Sequence, residues 1–155
     1  MARGSALPDI AEQRITKRFL VSALNICLPI LAGLFIYLWY RPDTYLSGYV
    51  YRIIGRTVYP SDSETSIILQ FLRGYAADIL WAYALMFSVS AILGTGKKQM
   101  WAAAGICLCL VTLMECLQLT DFVSGTFDLL DILFESASTG LAVLIIHLFE
   151  RGKTK

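Results

Sequence analysis

Four long runs of apolar residues divide this chain, and each is long enough to cross a bilayer as a helix. The runs cover residues 19–40, 74–93, 100–120 and 126–149. Shorter polar or glycine-containing segments separate them. The pattern predicts an all-α, polytopic integral membrane protein with four transmembrane helices, forming a single membrane domain over residues 1–155.

The first run follows a basic N-terminal segment, an arrangement that secretory signal peptides share. This run is longer than the apolar part of a signal peptide, and no small-residue cleavage site follows it. It ends in Tyr37, Trp39 and Tyr40, and such aromatic groups are typical of a membrane–water interface. We therefore expect it to be retained as a helix.

The connections between the runs differ in length. Residues 94–98 and 121–125 connect the last three runs, which must therefore be antiparallel neighbours in sequence order. Residues 41–73 form the one long loop, where tyrosine and aliphatic residues mix with Arg52 and Arg56. We expect this loop to lie along the membrane interface as short amphipathic helices.

The lysines and arginines predict the orientation, because cytoplasmic segments are enriched in them. An even number of spans places both termini on one side. That side would carry Arg3, Arg14, Lys17, Arg18, Lys97, Lys98, Arg151, Lys153 and Lys155, against Arg41, Arg52, Arg56 and Arg73 on the other. The prediction is a multi-pass protein of the cell membrane with cytoplasmic termini and an extracytoplasmic 41–73 loop.

Composition agrees with a bilayer as the surrounding solvent, since 57% of the residues are hydrophobic and only 16% are charged. A net charge of +1 without a basic stripe excludes nucleic acid as an expected partner. The four cysteines, Cys27, Cys107, Cys109 and Cys116, all lie in apolar runs. Since Cys107 and Cys109 point to different helix faces, we expect packing roles rather than zinc binding, and no metal or cofactor is predicted.

Acidic residues within the apolar runs are the main candidates for function. Two sets share a helical face: Glu115 with Gln118 at i and i+3, and Asp128, Asp131 and Glu135 at i, i+3 and i+7. Asp78 lies about one turn into the second run from its outer end, so under the predicted orientation all of these side chains gather in the outer leaflet. One acid at bilayer depth costs about 2.5 to 3.5 kcal/mol, so they should face one another, a polar cleft or a cation rather than lipid.

Structural explanations exist for two of these acids. Asp128 can stabilise the start of a helix after a possible Thr126 N-cap, and Asp78 can do the same or pair with Arg73. Close carboxylates in a low dielectric titrate as a coupled unit, which suits a shared proton, a hard cation or a docking site for a ligand. The small residues from Ser136 to Gly140 predict a helix-packing face.

Several of these segments together resemble the VanZ-like family. They are Glu115-Cys116-Leu117-Gln118, then Gly125-Thr126-Phe127-Asp128-Leu129-Leu130-Asp131 with Gly140 after it, and the stretch from Asp78 to Leu85. The resemblance spans about residues 73 to 146. Two departures affect the charge, because Glu135 stands where many members have asparagine and Gly125 where many have arginine. Arg73, or Arg52 and Arg56, could supply the missing counter-ion.

The resemblance implies a four-helix protein of bacterial envelopes that contributes to teicoplanin resistance. Our leading hypothesis is that the outer-leaflet acidic cleft binds an amphiphilic cell-envelope ligand, either the antibiotic or a lipid-linked cell-wall component. One alternative is an intramembrane enzyme that acts on a lipid-linked substrate with a carboxylate acid/base pair or a divalent cation. Another is a cation- or proton-coupled transporter, which four helices could form only as a homo-oligomer. The predicted ligand-binding residues are Asp78, Glu115, Gln118, Asp128, Asp131, Glu135 and Arg73.

Overall fold

A computed structural model describes residues 6–40, 45–55, 66–120 and 127–151, and all regular secondary structure within these ranges is helical. Four of the helices are long and apolar enough to cross a membrane, as the hydropathy pattern predicts. This is the architecture of a multi-pass membrane protein. The elements are α1 Ala6–Tyr40, α2 Tyr45–Ile54, α3 Ile67–Phe71, a π-helical turn Leu72–Ala76, α4 Ala77–Leu93, α5 Lys97–Gln118 and α6 Leu129–Arg151.

The boundaries of three long helices differ from the hydropathy prediction. Helix α1 has 35 residues and is about 52 Å long, well beyond the roughly 30 Å of a hydrocarbon core. Its apolar part is Phe19–Trp39, and the preceding turns are polar in sequence. Helix α5 begins at Lys97, because the positive φ of Gly94 and the extended Gly96 interrupt the chain just before it. Helix α6 begins at Leu129, and residue 126 lies outside the described residues.

Helix α4 occupies the centre of the bundle. Helices α1, α5 and α6 all pack on it, and α5 also packs on α6. In the most apolar 18-residue stretch of each span, 39% of the residues are buried in the span that contains α4 and only 6% in the span of α1. Helices α1 and α5 run antiparallel to α4 and α6, so the bundle has two ends. We call the end with Gly74, Gln118 and Leu129 the loop end, and the end with Leu93 and Arg151 the terminal end.

An apolar core fills the terminal half of the bundle. Small residues occur where the helices meet, including the buried Ala82, Ala84, Ala103 and Ala142, which is the usual way for membrane helices to approach closely. The core cluster consists of Met86, Phe87, Met100, Ala103, Cys107, Ala142 and Ile146.

One prediction about packing residues is wrong, and a second is confirmed only in part. Of the four cysteines only Cys107 is buried in the core, whereas Cys27, Cys109 and Cys116 are exposed on the bundle surface. Their hydropathy indicates that they lie in the membrane, but it does not indicate which side of the helix faces the core. Gly140 is also exposed, with no other described atom within 4 Å of the position of a Cβ. The predicted small-residue face is confirmed at Ser138 and Thr139, which are buried together with Ala142.

The contact between α1 and α4 is the most extensive between helices in the described part of the chain, and it includes a hydrogen bond and a close backbone approach. The Tyr83 hydroxyl donates to Asn25 Oδ1 over 2.6 Å, and the Asn25 amide donates to the carbonyl of Val21. Gly33 is buried under the indole of Trp81, where a Cβ would lie only 2.7 Å from two ring atoms. Glycine is required there because any side chain would displace the indole.

Candidate functional site

The predicted polar residues converge at the loop end. Glu115 on α5 is 5% exposed, and Asp78, Gln118, Asp128, Asp131 and Glu135 are all partly buried. The backbone of Arg73 belongs to the π-helical turn, but its side chain lies outside what the structure describes. Three helices therefore bring six of the seven predicted residues to the same end of the bundle.

Glu115 joins the end of α5 to the start of α6. Its Oε1 accepts a hydrogen bond from Gln118 Nε2 at 3.0 Å, and its Oε2 accepts one from the backbone N–H of Asp128 at 3.2 Å. The helical spacing of Glu115 and Gln118 explains the first contact, since residues at i and i+3 are neighbours on a helix surface. Both carboxylate oxygens are therefore engaged, and the Oε2 bond links α5 to the start of α6.

Asp128 caps helix α6. Its Oδ1 accepts a hydrogen bond from the backbone N–H of Leu130 at 2.9 Å, which is the interaction of an N-cap residue with position N2. The structural explanation considered for this acid is confirmed, although Asp128 itself is the cap; Thr126 lies outside the described residues. Its second oxygen, Oδ2, accepts a hydrogen bond from the Tyr75 hydroxyl at 3.1 Å.

Tyr75 lies in the π-helical turn that joins α3 to α4. The flanking Phe71 and Ala77 have helical backbone angles, so the helix is continuous and Asp78 is not at a free helix start. The Tyr75 ring packs on Phe134 with centroids 5.0 Å apart. This contact to α6 was not predicted, although Tyr75 precedes Asp78 by three residues and so shares its helical face.

Glu135 has a carboxylate oxygen in an unfavourable environment. Its Oε2 is fully buried and has no hydrogen-bond partner among the described residues. The charges of Asp78, Glu115 and Asp131 lie close enough to act on it electrostatically. One turn further along α6, the hydroxyl of Thr139 is also buried and without a described partner, in a side chain only 2% exposed. Such groups are costly in an apolar interior.

A groove of about 350 Å³ opens beside Glu135, between α1, α4 and α5. Its volume is near the lower limit of ligand pockets in general. The Ser88 hydroxyl donates to the carbonyl of Ala84, so it is already satisfied and Glu135 is the one charged residue of the lining. The lining consists of Ile30, Trp81, Ala82, Ala84, Leu85, Ser88, Leu110, Val111, Met114 and Glu135.

The seven predicted ligand-binding residues thus divide into different groups. Glu115, Gln118 and Asp128 form hydrogen bonds within the bundle. Of the seven residues, Glu135 is the one that lines the groove. Within the described ranges, no three histidine, cysteine, aspartate or glutamate side chains are grouped so that they could hold a metal ion. The apolar lining, including Trp81 and Leu110, could not be recognised from sequence because it consists of ordinary membrane residues.

Comparison with known proteins gives no relative: no family model, no curated protein and no solved structure matches this chain.

Proposed function

We propose that this protein is a VanZ-like membrane protein that binds an amphiphilic cell-envelope ligand and thereby contributes to lipoglycopeptide resistance. In this proposal it lies in the cell membrane with both termini in the cytoplasm. The loop end then faces outward, and the segment between α1 and α4 lies along the outer interface. The lysine and arginine distribution supports this orientation.

One observation carries the proposal: Glu135 belongs both to the acidic cluster and to the wall of an apolar groove. A ligand with a polar part and a hydrocarbon part is complementary to such a junction. A purely structural role accounts less well for this acid, because helix-to-helix contacts in membranes generally use small residues and uncharged polar side chains. A buried carboxylate oxygen without a partner costs stability, and functional sites retain such costs.

The distribution of hydrogen bonds supports the same conclusion. Glu115 and Asp128 use their oxygens to hold α5, α6 and the π-helical turn together. They therefore provide a rigid frame around Glu135, as a binding site needs. The residues of the VanZ-like motif would, on this interpretation, mostly position the site, while Glu135 contacts the ligand.

The test uses a bacterial strain whose teicoplanin resistance depends on this protein. Glu135→Gln keeps the shape of the side chain and removes its charge, so we expect susceptibility to return to that of the strain lacking the protein. Glu150→Gln makes the same change at the terminal end of α6 and should leave resistance intact. Immunodetection of both variants in the membrane fraction establishes equal amounts. Full resistance with Glu135→Gln and Glu135→Leu would refute the proposal.

A further inference from the structure

We infer that the groove binds a cationic amphiphile, with its acyl chain between α1, α4 and α5 and its ammonium group against Glu135. The inference rests on the proposed function and adds the charge and the orientation of the ligand. It also distinguishes this ligand from anionic and uncharged lipids, which the bilayer offers in large excess.

The shape of the groove determines which part of the ligand lies where. Trp81 and Met114 lie near the loop end of the groove, and Ser88 lies nearest the terminal end. From Trp81 to Ser88 the axis of α4 advances about 10 Å. Because the Ser88 hydroxyl is satisfied by Ala84, this deeper part is effectively apolar. It suits a hydrocarbon chain that points toward the bilayer centre.

Glu135 lies toward the other end of the same groove. It is six residues into α6 from Leu129, about 9 Å from the start of the helix. A ligand whose chain points toward Ser88 therefore has its head group near Glu135 and the loop end, which is the ordinary orientation of an amphiphile relative to a membrane surface. This geometry holds whichever side of the membrane the loop end faces.

The charge balance favours a cation as the head group. Glu135 is the one charged residue in the lining of the groove, and the acids Asp78, Glu115 and Asp131 lie close enough to act on it electrostatically. An ammonium group in the groove would donate a charge-assisted hydrogen bond to the Glu135 carboxylate and would offset the repulsion that the neighbouring acids exert on it. A phosphate or sulfate would increase that repulsion.

Access from the bilayer is open. Trp81, Leu110 and Met114 line the groove and are also exposed on the surface of the bundle. A ligand can therefore enter sideways from the lipid without passing through the packed terminal core. The Trp81 indole reports on occupancy because it lies in the wall of the groove.

The experiment measures quenching of Trp81 fluorescence by brominated alkyl chains. The full-length protein with Trp39→Phe and Trp101→Phe is placed in phosphatidylcholine nanodiscs, leaving Trp81 as the only tryptophan. Three probes of equal chain length carry a terminal ammonium, hydroxyl or sulfate group. We expect saturable quenching, with the ammonium probe binding about tenfold more tightly than the alcohol and the sulfate most weakly, since hydrogen bonds to charged groups contribute about 1.5 to 3 kcal/mol.

Two pairs of variants separate the roles of groove and charge. Ser88→Phe fills the deep part of the groove and should abolish saturable quenching, whereas Ala91→Phe adds the same ring at an exposed position of α4 and should not. Glu135→Gln should remove the preference for ammonium over alcohol, whereas Glu150→Gln should keep it. Two results would overturn the inference: equal affinities of the ammonium and alcohol probes for the protein that keeps both Glu135 and Ser88, or unchanged quenching in Ser88→Phe.

The outcome is separable from that of the proposed function. If Glu135→Gln restores teicoplanin susceptibility but Ser88→Phe leaves resistance and probe binding unchanged, the protein keeps its proposed function and the cationic acyl-chain site is wrong. If the probes bind as expected but resistance is independent of Glu135, the site stands and the proposed function is refuted.

Discussion

Glu115 Oε2 accepts a hydrogen bond from the backbone N–H of Asp128, thirteen residues later in the chain. The same carboxylate accepts a second hydrogen bond from Gln118, so one side chain satisfies donors on both sides of the α5–α6 connection. In an apolar surrounding each unsatisfied donor would be costly. This relationship explains why a buried acid at this position stabilises the bundle.

Replacing Glu115 by leucine should destabilise the protein. The substitution leaves the Gln118 amide and the Asp128 N–H without their partners, which costs about 1 to 3 kcal/mol for each unsatisfied group. The measurement is the free energy of unfolding in a mild detergent titrated with sodium dodecyl sulfate. Glu115→Gln retains one acceptor and should lose less. A stability equal to that of the original protein would show that these hydrogen bonds do not hold the hairpin.

Replacing Glu135 by leucine should stabilise the protein, in contrast to the same replacement at Glu115. This substitution removes a buried oxygen without a described partner and one of four interacting carboxylates, so we expect the free energy of unfolding to rise by about 1 to 3 kcal/mol. The same titration measures it, with Glu115→Leu as the matched comparison. A loss of stability in Glu135→Leu would mean that this acid supports the fold, and would weaken its assignment to a ligand.

Tyr75 contributes to the loop end through its hydroxyl and its ring separately. Tyr75→Phe removes the hydrogen bond to Asp128 and should cost about 0.5 to 1.5 kcal/mol. Tyr75→Leu also removes the ring contact with Phe134 and should cost about 0.5 to 1.5 kcal/mol more. The free energies of unfolding of the original protein and of both variants give the separate contributions of the hydrogen bond and the ring contact. Identical stabilities of the phenylalanine and leucine variants would contradict the aromatic contribution.

The hydrogen bond between Tyr83 and Asn25 should account for a measurable part of the α1–α4 contact. A double-mutant cycle with Tyr83→Phe and Asn25→Ala should give a coupling energy of about 0.6 kcal/mol, the average for hydrogen bonds between membrane helices. The coupling energy is calculated from the free energies of unfolding of the original protein, the two single variants and the double variant. Strictly additive effects would show that the two side chains do not interact.

The predicted orientation can be tested by labelling. In a cysteine-free protein, Ser66→Cys reports on the loop end and Gln99→Cys on the terminal end, and both positions are exposed. With cytoplasmic termini, a membrane-impermeant maleimide added to intact cells should label only Ser66→Cys. Lysed cells serve as the control for reactivity. Labelling of Gln99→Cys alone would place the loop end inside the cell.

Hydropathy was sufficient to predict the four spans because it depends only on the length and polarity of each segment. The convergence of Glu115, Asp128 and Glu135 followed from their spacing and from the short α5–α6 connection. The inward face of each helix was harder to predict. Cys109 and Gly140 are chemically suited to packing, yet both are exposed, because in a bilayer apolar and small residues are equally compatible with lipid.

The different roles of the acids could not be predicted from the sequence. Asp128 caps a helix and Glu135 lines a groove, although both belong to the same helical stripe. Their difference arises from where α6 begins and from where the groove opens beside it. These are properties of helix packing, which single residue types do not encode.

The peripheral position of α1 has a consequence for the size range of possible ligands. This helix packs principally on α4, while α4, α5 and α6 contact one another. Ile30 therefore belongs to a wall of the groove that takes no part in the contacts among the other three helices. A small displacement of this one wall would change the width of the groove, and so the thickness and branching of the chains it accepts, while the packing of α4, α5 and α6 stays as it is.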